Sequence, residues 1–190
     1  MLLLNDKILT MPVVSLQTGR KLATLAKAIV DPRQLHVIAY YCEGPNLDID
    51  PAVLHTDDIR EVSSMGMIVD SAEDIMSPED LVRLQQIIDF DFNLVGMKVI
   101  DDSGKKIGKV SSYSIETNTF FIIKIHVQPG FFQALHTTEH IIDRSQIIEI
   151  NDNAIVVKSA SVKEGALGAR HIIDSSFRGR PQPDVAHNQE

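Results

Sequence analysis

Short apolar runs broken by clusters of Gly, Asn, Asp and Ser dominate the chain, and this texture predicts strands. Residues 97–100 lead into Asp101-Asp102-Ser103-Gly104, a turn cluster in which Gly supplies a positive φ without a Cβ clash. A long strand is predicted over 107–116. Thr117-Asn118-Thr119 then turns the chain into 120–127, a nearly continuous apolar run ended by Pro129-Gly130, which predicts the best-buried strand. Short apolar pieces follow at 141–142, 147–150 and 155–158, and Asn151-Asp152-Asn153 suits a tight hairpin between the last two. Short antiparallel strands in such numbers leave two edges open unless they close, so a small barrel is expected.

The pattern occurs twice. Residues 14–38 align with 99–123 at a shift of 85, with Val14, Gly19 and Lys21 recurring as Val99, Gly104 and Lys106. Residues 54–72 align with 142–160 at a shift of 88, with Ile59, Glu61, Val69, Ser71 and Ala72 recurring as Ile147, Glu149, Val157, Ser159 and Ala160. Two blocks kept in order with one small length change argue for duplicated modules. Between them, Ser77-Pro78-Glu79-Asp80 offers an N-cap, a first-turn Pro and acids near the positive end of a helix dipole. Leu81, Leu84, Ile87 and Ile88 follow at helical spacing, so a joining helix is expected over 78–89. Beyond Lys163 the Gly- and Pro-containing tail has little periodicity and is expected to be flexible. The organisation expected is therefore a first module over 1–76, a linking helix over 77–92, a second module over 93–163 and a tail over 164–190.

These residues resemble the PRC-barrel family. Its pattern is an apolar pair, a D-x-x-G-x-x-(I/L)-G-x-V hairpin, a long strand, an I-x-x-(I/V) segment and a short closing hairpin. The second copy carries Val99-Ile100-Asp101-Asp102-Ser103-Gly104-Lys105-Lys106-Ile107-Gly108-Lys109-Val110, then Ile147-Ile148-Glu149-Ile150 and Ala154-Ile155-Val156-Val157. The first copy departs more, with Ala23 where the second Gly is usual and Asp57-Asp58-Ile59-Arg60-Glu61-Val62 later. The resemblance implies a mainly β chain of two tandem small PRC-type barrels joined by a helix. Family members include the barrel domain of the bacterial 16S rRNA-processing protein and the barrel of the photosynthetic reaction-centre H subunit. Both are assembly modules, so the resemblance implies docking rather than catalysis and identifies no partner.

Composition narrows the classes further. The chain has 190 residues, 44% hydrophobic and 23% charged, the balance of a soluble globular protein. A net charge of −8 disfavours general nucleic-acid binding. The charge is uneven, since residues 1–76 hold 6 basic and 11 acidic side chains whereas 93–163 hold 8 and 7. Any RNA contact is thus expected on the second module, through Lys105, Lys106 and Lys109. A single cysteine, Cys42, closes no internal disulfide and reads as a buried small hydrophobe. No signal peptide or membrane-length apolar run is present, so no membrane insertion and a cytoplasmic location are expected.

Few residues invite chemistry. His136-Thr137-Thr138-Glu139-His140 spells H-x-x-E-H, but that zinc spacing works only on a helix, and the repeat places it in a loop entering a strand. Gly104-Lys105-Lys106 lacks the helix that a phosphate loop needs. Asp57-Asp58 and Asp101-Asp102 lie at turns, where water keeps both members ionised. No catalytic residue, cofactor or metal site is assigned. Phe131-Phe132, with Leu135, either plugs a barrel end or the seam between the barrels, or forms a docking patch, and residues 171–178 could order on a partner. The expected function is a non-catalytic adaptor docking a macromolecular partner, a protein first. A ribosome-assembly or RNA-processing factor is the alternative, and a zinc-dependent hydrolase a distant one.

Overall fold

Aliphatic residues at alternate positions give most strands one buried face, and the turn clusters set their limits. The computed structural model describes residues 1–80, 82–130 and 139–159. Strand β1 (Leu2–Leu4) and the one-turn helix α1 (Asn5–Ile8) precede β2 (Pro12–Ser15), β3 (Lys21–Asp31), β4 (His36–Glu43) and β5 (Ala52–His55). Then come β6 (Ile59–Ser63), β7 (Gly66–Val69) and β8 (Ile75–Met76). A 3-10 turn at Pro78–Asp80 and helix α2 (Val82–Ile88) lead to β9 (Lys98–Asp101), β10 (Lys106–Glu116) and β11 (Ile122–Pro129). The last strands are β12 (His140–Asp143), β13 (Ile147–Ile150) and β14 (Ala154–Val157).

Two sheets share one plan. The first runs β6-β7-β2-β3-β4-β5-β8, and the second runs β13-β14-β9-β10-β11-β12 with β1 added beside β10. In each the one parallel pair is the closing strand on the opening one, β7 on β2 and β14 on β9. Their irregularities coincide as well. Register shifts at Leu22, Ala26, Ile38 and Arg60 fall 85 or 88 residues before those at Ile107, Ser111, Ile123 and Ile148. Bulges fix the twist and aim of a strand, so four shared bulges mean a shared path.

The structure changes three expectations. Val99 is matched by Val13 rather than Val14, because Val13 pairs with Ala23 and Met67 as Val99 pairs with Gly108 and Ile155. The turn from β2 to β3 is one residue longer than its counterpart. Among the described residues neither sheet closes into a barrel. In the first sheet β8 takes the edge of β5 that β6 would need, and the consecutive strands β5 and β6, and β12 and β13, are separated by a 3-10 turn at Thr56–Asp58 or Arg144–Gln146. There the backbone N–H groups go to side-chain acceptors, Asp57 to His55 and Ser145 to Asp143, instead of to a partner strand. The joining segment is also divided, a 3-10 turn followed by α2 in place of one helix over 78–89.

The sheets meet at equivalent hairpins. The Val37 N–H donates to the Phe120 carbonyl at 3.0 Å, and the Ile122 N–H donates to the Leu35 carbonyl at 2.8 Å. Positions 35 and 120, 36 and 121, and 37 and 122 are equivalent, so the seam is a pseudo-twofold antiparallel contact centred on the His36–Phe121 bridge. Leu35 and Phe120 both adopt left-handed backbone, φ 46° and 54°, which is why β11 begins at Ile122 and not at Phe120. Left-handed backbone costs a non-glycine residue about 1–2 kcal/mol. Burying a Leu or Phe side chain contributes about 1.5–3 kcal/mol, and both residues are 5% exposed within a core that runs through both sheets.

Leading segments are exchanged across this seam. β1 and α1, which precede the first unit, lie on β10 of the second. α2, which precedes the second unit, sets Leu84 on Ile29, Ala39 and Val53 of the first. Lys27–Asp91 at 3.8 Å and Arg33 over the Phe90 ring at 4.9 Å extend that contact.

One glycine position tests the packing. A Cβ on Gly108 would collide with the carbonyl oxygen of Gln128, a backbone atom that cannot swing away. The first unit has Ala23 there and Gly44 across from it, where a Cβ would come within 3.2 Å of the Leu22 carbonyl oxygen. Gly108→Ala is therefore expected to destabilise the chain by about 1–3 kcal/mol, read as a lower denaturation midpoint at unchanged m-value.

Candidate docking site

Asp101 builds the β9–β10 hairpin. Its Oδ1 accepts from the Ser103 hydroxyl at 2.6 Å, the Ser103 N–H at 3.0 Å and the Lys105 N–H at 2.8 Å. The Ser103 hydroxyl bond, helped by these backbone amides, holds the Asp101 carboxyl below the usual carboxylate range. Asp101 is 8% exposed, so it is a turn organiser and not the solvated partner of Asp102 that its neighbourhood suggests. Gly104 completes the turn at φ 84°.

On this frame Lys105, Lys106 and Lys109 are all exposed, with no ion-pair partner among the described residues. Lys106 and Lys109 line a cleft of about 450 Å³ whose far wall is Pro129 and Gly130. Lys105 does not line it. Phe131, Phe132 and Leu135 lie outside the described residues, as does His136. By chain connectivity Phe131 directly follows the cleft wall at Gly130.

A second cleft, of about 480 Å³, opens at the seam between the units, and nothing local in the sequence pointed to it. His36, Arg60, Glu61, Asn118 and Phe121 line it. The His36 Nε2–H donates to the Thr119 carbonyl at 2.9 Å, and the ring lies 4.5 Å from that of Phe121. Arg60 meets Asp70 through two bonds of 2.7 and 2.6 Å, and that guanidinium holds the Asp70 carboxyl below its ordinary range. At the pseudo-equivalent place Arg144, which corresponds to Thr56, sits 4.8 Å from the Phe121 ring centroid. Thr56 instead turns its hydroxyl to the Val37 and Ile38 carbonyls.

A third arrangement also escaped the sequence. On β10 and β11, Ser114 Oγ stands 3.0 Å from His126 Nε2, and His126 Nδ1 stands 3.5 Å from Glu139, which accepts from the Ser111 hydroxyl at 3.0 Å. The connectivity is that of a hydroxyl, a base and an acid. Ser114, however, is only 9% exposed and packed in the sheet. The array ties the bulge at Ser111 to the start of β12. Glu139 and His140 thus enter a strand, not the helix that an H-x-x-E-H zinc site requires. Among the described residues no group of three or more His, Cys, Asp and Glu side chains is placed to share a metal ion. Cys42 is buried, and desolvation pushes its thiol up to about 12.

Residues 88–163 match the PRC-barrel domain model. Residues 88–163 carry a PRC-barrel domain. The match contains the lysine-bearing hairpin, the cleft beside it and the Ser114–His126–Glu139 array, and it stops short of the first unit. Among curated proteins none matches the chain. No helix among the described residues is long and apolar enough to cross a membrane.

Two measurements follow from these side chains. Cys42 is expected to resist a thiol reagent such as Ellman's reagent at pH 8 in the native protein and to react fully on unfolding. Asp101 has a depressed pKa in the fold, so it stabilises above its ordinary value near about 4 and loses that contribution as pH falls through the folded value. Asp101→Asn is therefore expected to be less stable at pH 7, with the gap to wild type narrowing on acidification in parallel denaturant titrations.

Proposed function

We propose that the chain is a non-catalytic cytoplasmic adaptor built of two PRC-barrel-type units in tandem, docking a protein partner through the second. Shared strand order and four shared bulges support the tandem reading. One observation carries the docking reading. Within the PRC-barrel domain the acid–base groups Asp101, His126 and Glu139 are engaged in holding turns and strands, while Lys105, Lys106 and Lys109 stand exposed, the last two lining a cleft. A hairpin presenting three exposed cations, two of them lining a cleft that ends at Gly130, suits an acidic partner surface.

The same three lysines support a second reading, an RNA-binding factor in ribosome assembly or RNA processing. Salt separates the two. Affinity capture with the full chain, with Lys105, Lys106 and Lys109 all changed to Gln, and with Phe131→Ala/Phe132→Ala is expected to retain one protein that both variants lose. Recovery of RNA would favour the second reading, provided its affinity falls steeply and linearly in log salt and the lysine changes flatten that slope by about 0.7 per lost phosphate contact. A recovered protein indifferent to all five substitutions would refute the docking surface.

A further inference from the structure

The two sheets differ at one edge. In the first, β8 covers β5, with Val53 opposite Met76 and Leu54 opposite Ile75. Val53 is fully buried. In the second, Ile141 occupies the equivalent position and pairs with His126 as Val53 pairs with Tyr41. Yet Ile141 is 56% exposed, and among the described residues β12 pairs with β11 alone. A short edge strand with an exposed Ile is a template for another strand up to Asp143, whose N–H already donates to Gln146 Oε1 at 2.8 Å.

The chain carries a match for that edge. His140-Ile141-Ile142-Asp143-Arg144-Ser145 recurs as His171-Ile172-Ile173-Asp174-Ser175-Ser176, five identities in six. Read antiparallel, His-Ile-Ile-Asp is complementary to itself. His171 falls opposite Asp143, Ile172 opposite Ile142, Ile173 opposite Ile141 and Asp174 opposite His140. One end then sets Asp174 against the His140 imidazole and the middle sets Ile against Ile, pairings that favour adjacent strands, while the Asp143 carboxylate keeps its bonds to Ser145. Residues nearer the end of β14 fit less well. Lys163 stands 88 positions after Ile75, which is 5% exposed, and would bring an ammonium to that buried place. Reach is sufficient, since five residues separate Val69 from β8 in the first unit and thirteen separate the equivalent Val157 from His171.

We propose that the open edge of β12 is the docking site of this chain's own tail, with residues 171–174 added as an antiparallel strand. The added strand covers Ile141 and closes the edge to strands from other chains. It stands apart from the adaptor reading, which rests on the lysine hairpin.

A cysteine pair tests the register in the full chain. Ile141→Cys/Ile173→Cys is expected to form an intramolecular disulfide about tenfold faster than Ile141→Cys/Phe177→Cys, whose second cysteine lies beyond the paired segment. Cys42 stays in place because its buried thiol does not compete. Equal rates for the two pairs overturn the proposal. So does a 141–173 link between two chains, which would assign the tail to a second copy, or a dimer of Ile141→Cys alone, which would make the edge self-pairing. As an independent readout, Ile172→Asp/Ile173→Asp is expected to speed hydrogen exchange of the β12 amides by at least about tenfold, leaving β3 and β10 protected. Unchanged exchange at β12 overturns the proposal as well.

Discussion

The architecture depends on two backbone hydrogen bonds, Val37 to Phe120 and Ile122 to Leu35. They force two hairpins with equivalent sequence positions to meet head to head, and the meeting point fixes everything packed around it. Leu35 and Phe120 accept left-handed backbone to make the contact, and their side chains enter a core that neither sheet completes alone. The stabilisation is cooperative in a simple sense: backbone strain at each hairpin is offset by burial that exists only when the other hairpin is present. A pseudo-twofold seam of this kind is what an isologous dimer interface looks like after its two halves have been joined in one chain.

Much of the strand layout was legible because local chemistry sets it. At the turn over 117–119 Glu116 Oε2 accepts from the Asn118 and Thr119 N–H groups, and at the 151–153 hairpin Asn151 Oδ1 accepts from the Asn153 and Ala154 N–H groups. β10 begins within one residue of its expected position because Gly104 ends the preceding turn. Errors arose where a distant partner decides. Phe120 reads as a strand residue, but the seam takes it out of the strand. Asp101 reads as solvated, but three donors converge on it. Open ladders were not legible either, since whether β12 meets β13 depends on where a capped 3-10 turn sends the chain.

Of the candidate site, the lysines were visible as charge, and the hairpin that displays them as a turn signature. The cleft beside Lys106 and Lys109, the seam cleft and the Ser114–His126–Glu139 array were not, because each joins residues that only the sheet register brings together. The pair of sheets also shows how one backbone carries two characters. Ile29, Ala39, Tyr41 and Val53 form a face on which α2 lies, whereas their counterparts Ser114, Lys124, His126 and Ile141 form a more polar face. The PRC-barrel domain match falls on the half with the polar face.

The swapped leading segments give the chain a braided order. β1 and α1 are anchored on the later sheet and α2 on the earlier one, so no single cut separates two self-sufficient pieces. Severing the linker would strand each sheet without the cover that the other half supplies. Evolution can therefore vary loops and faces of either unit freely, but it can exchange or lose a unit only together with its neighbour's wrapping.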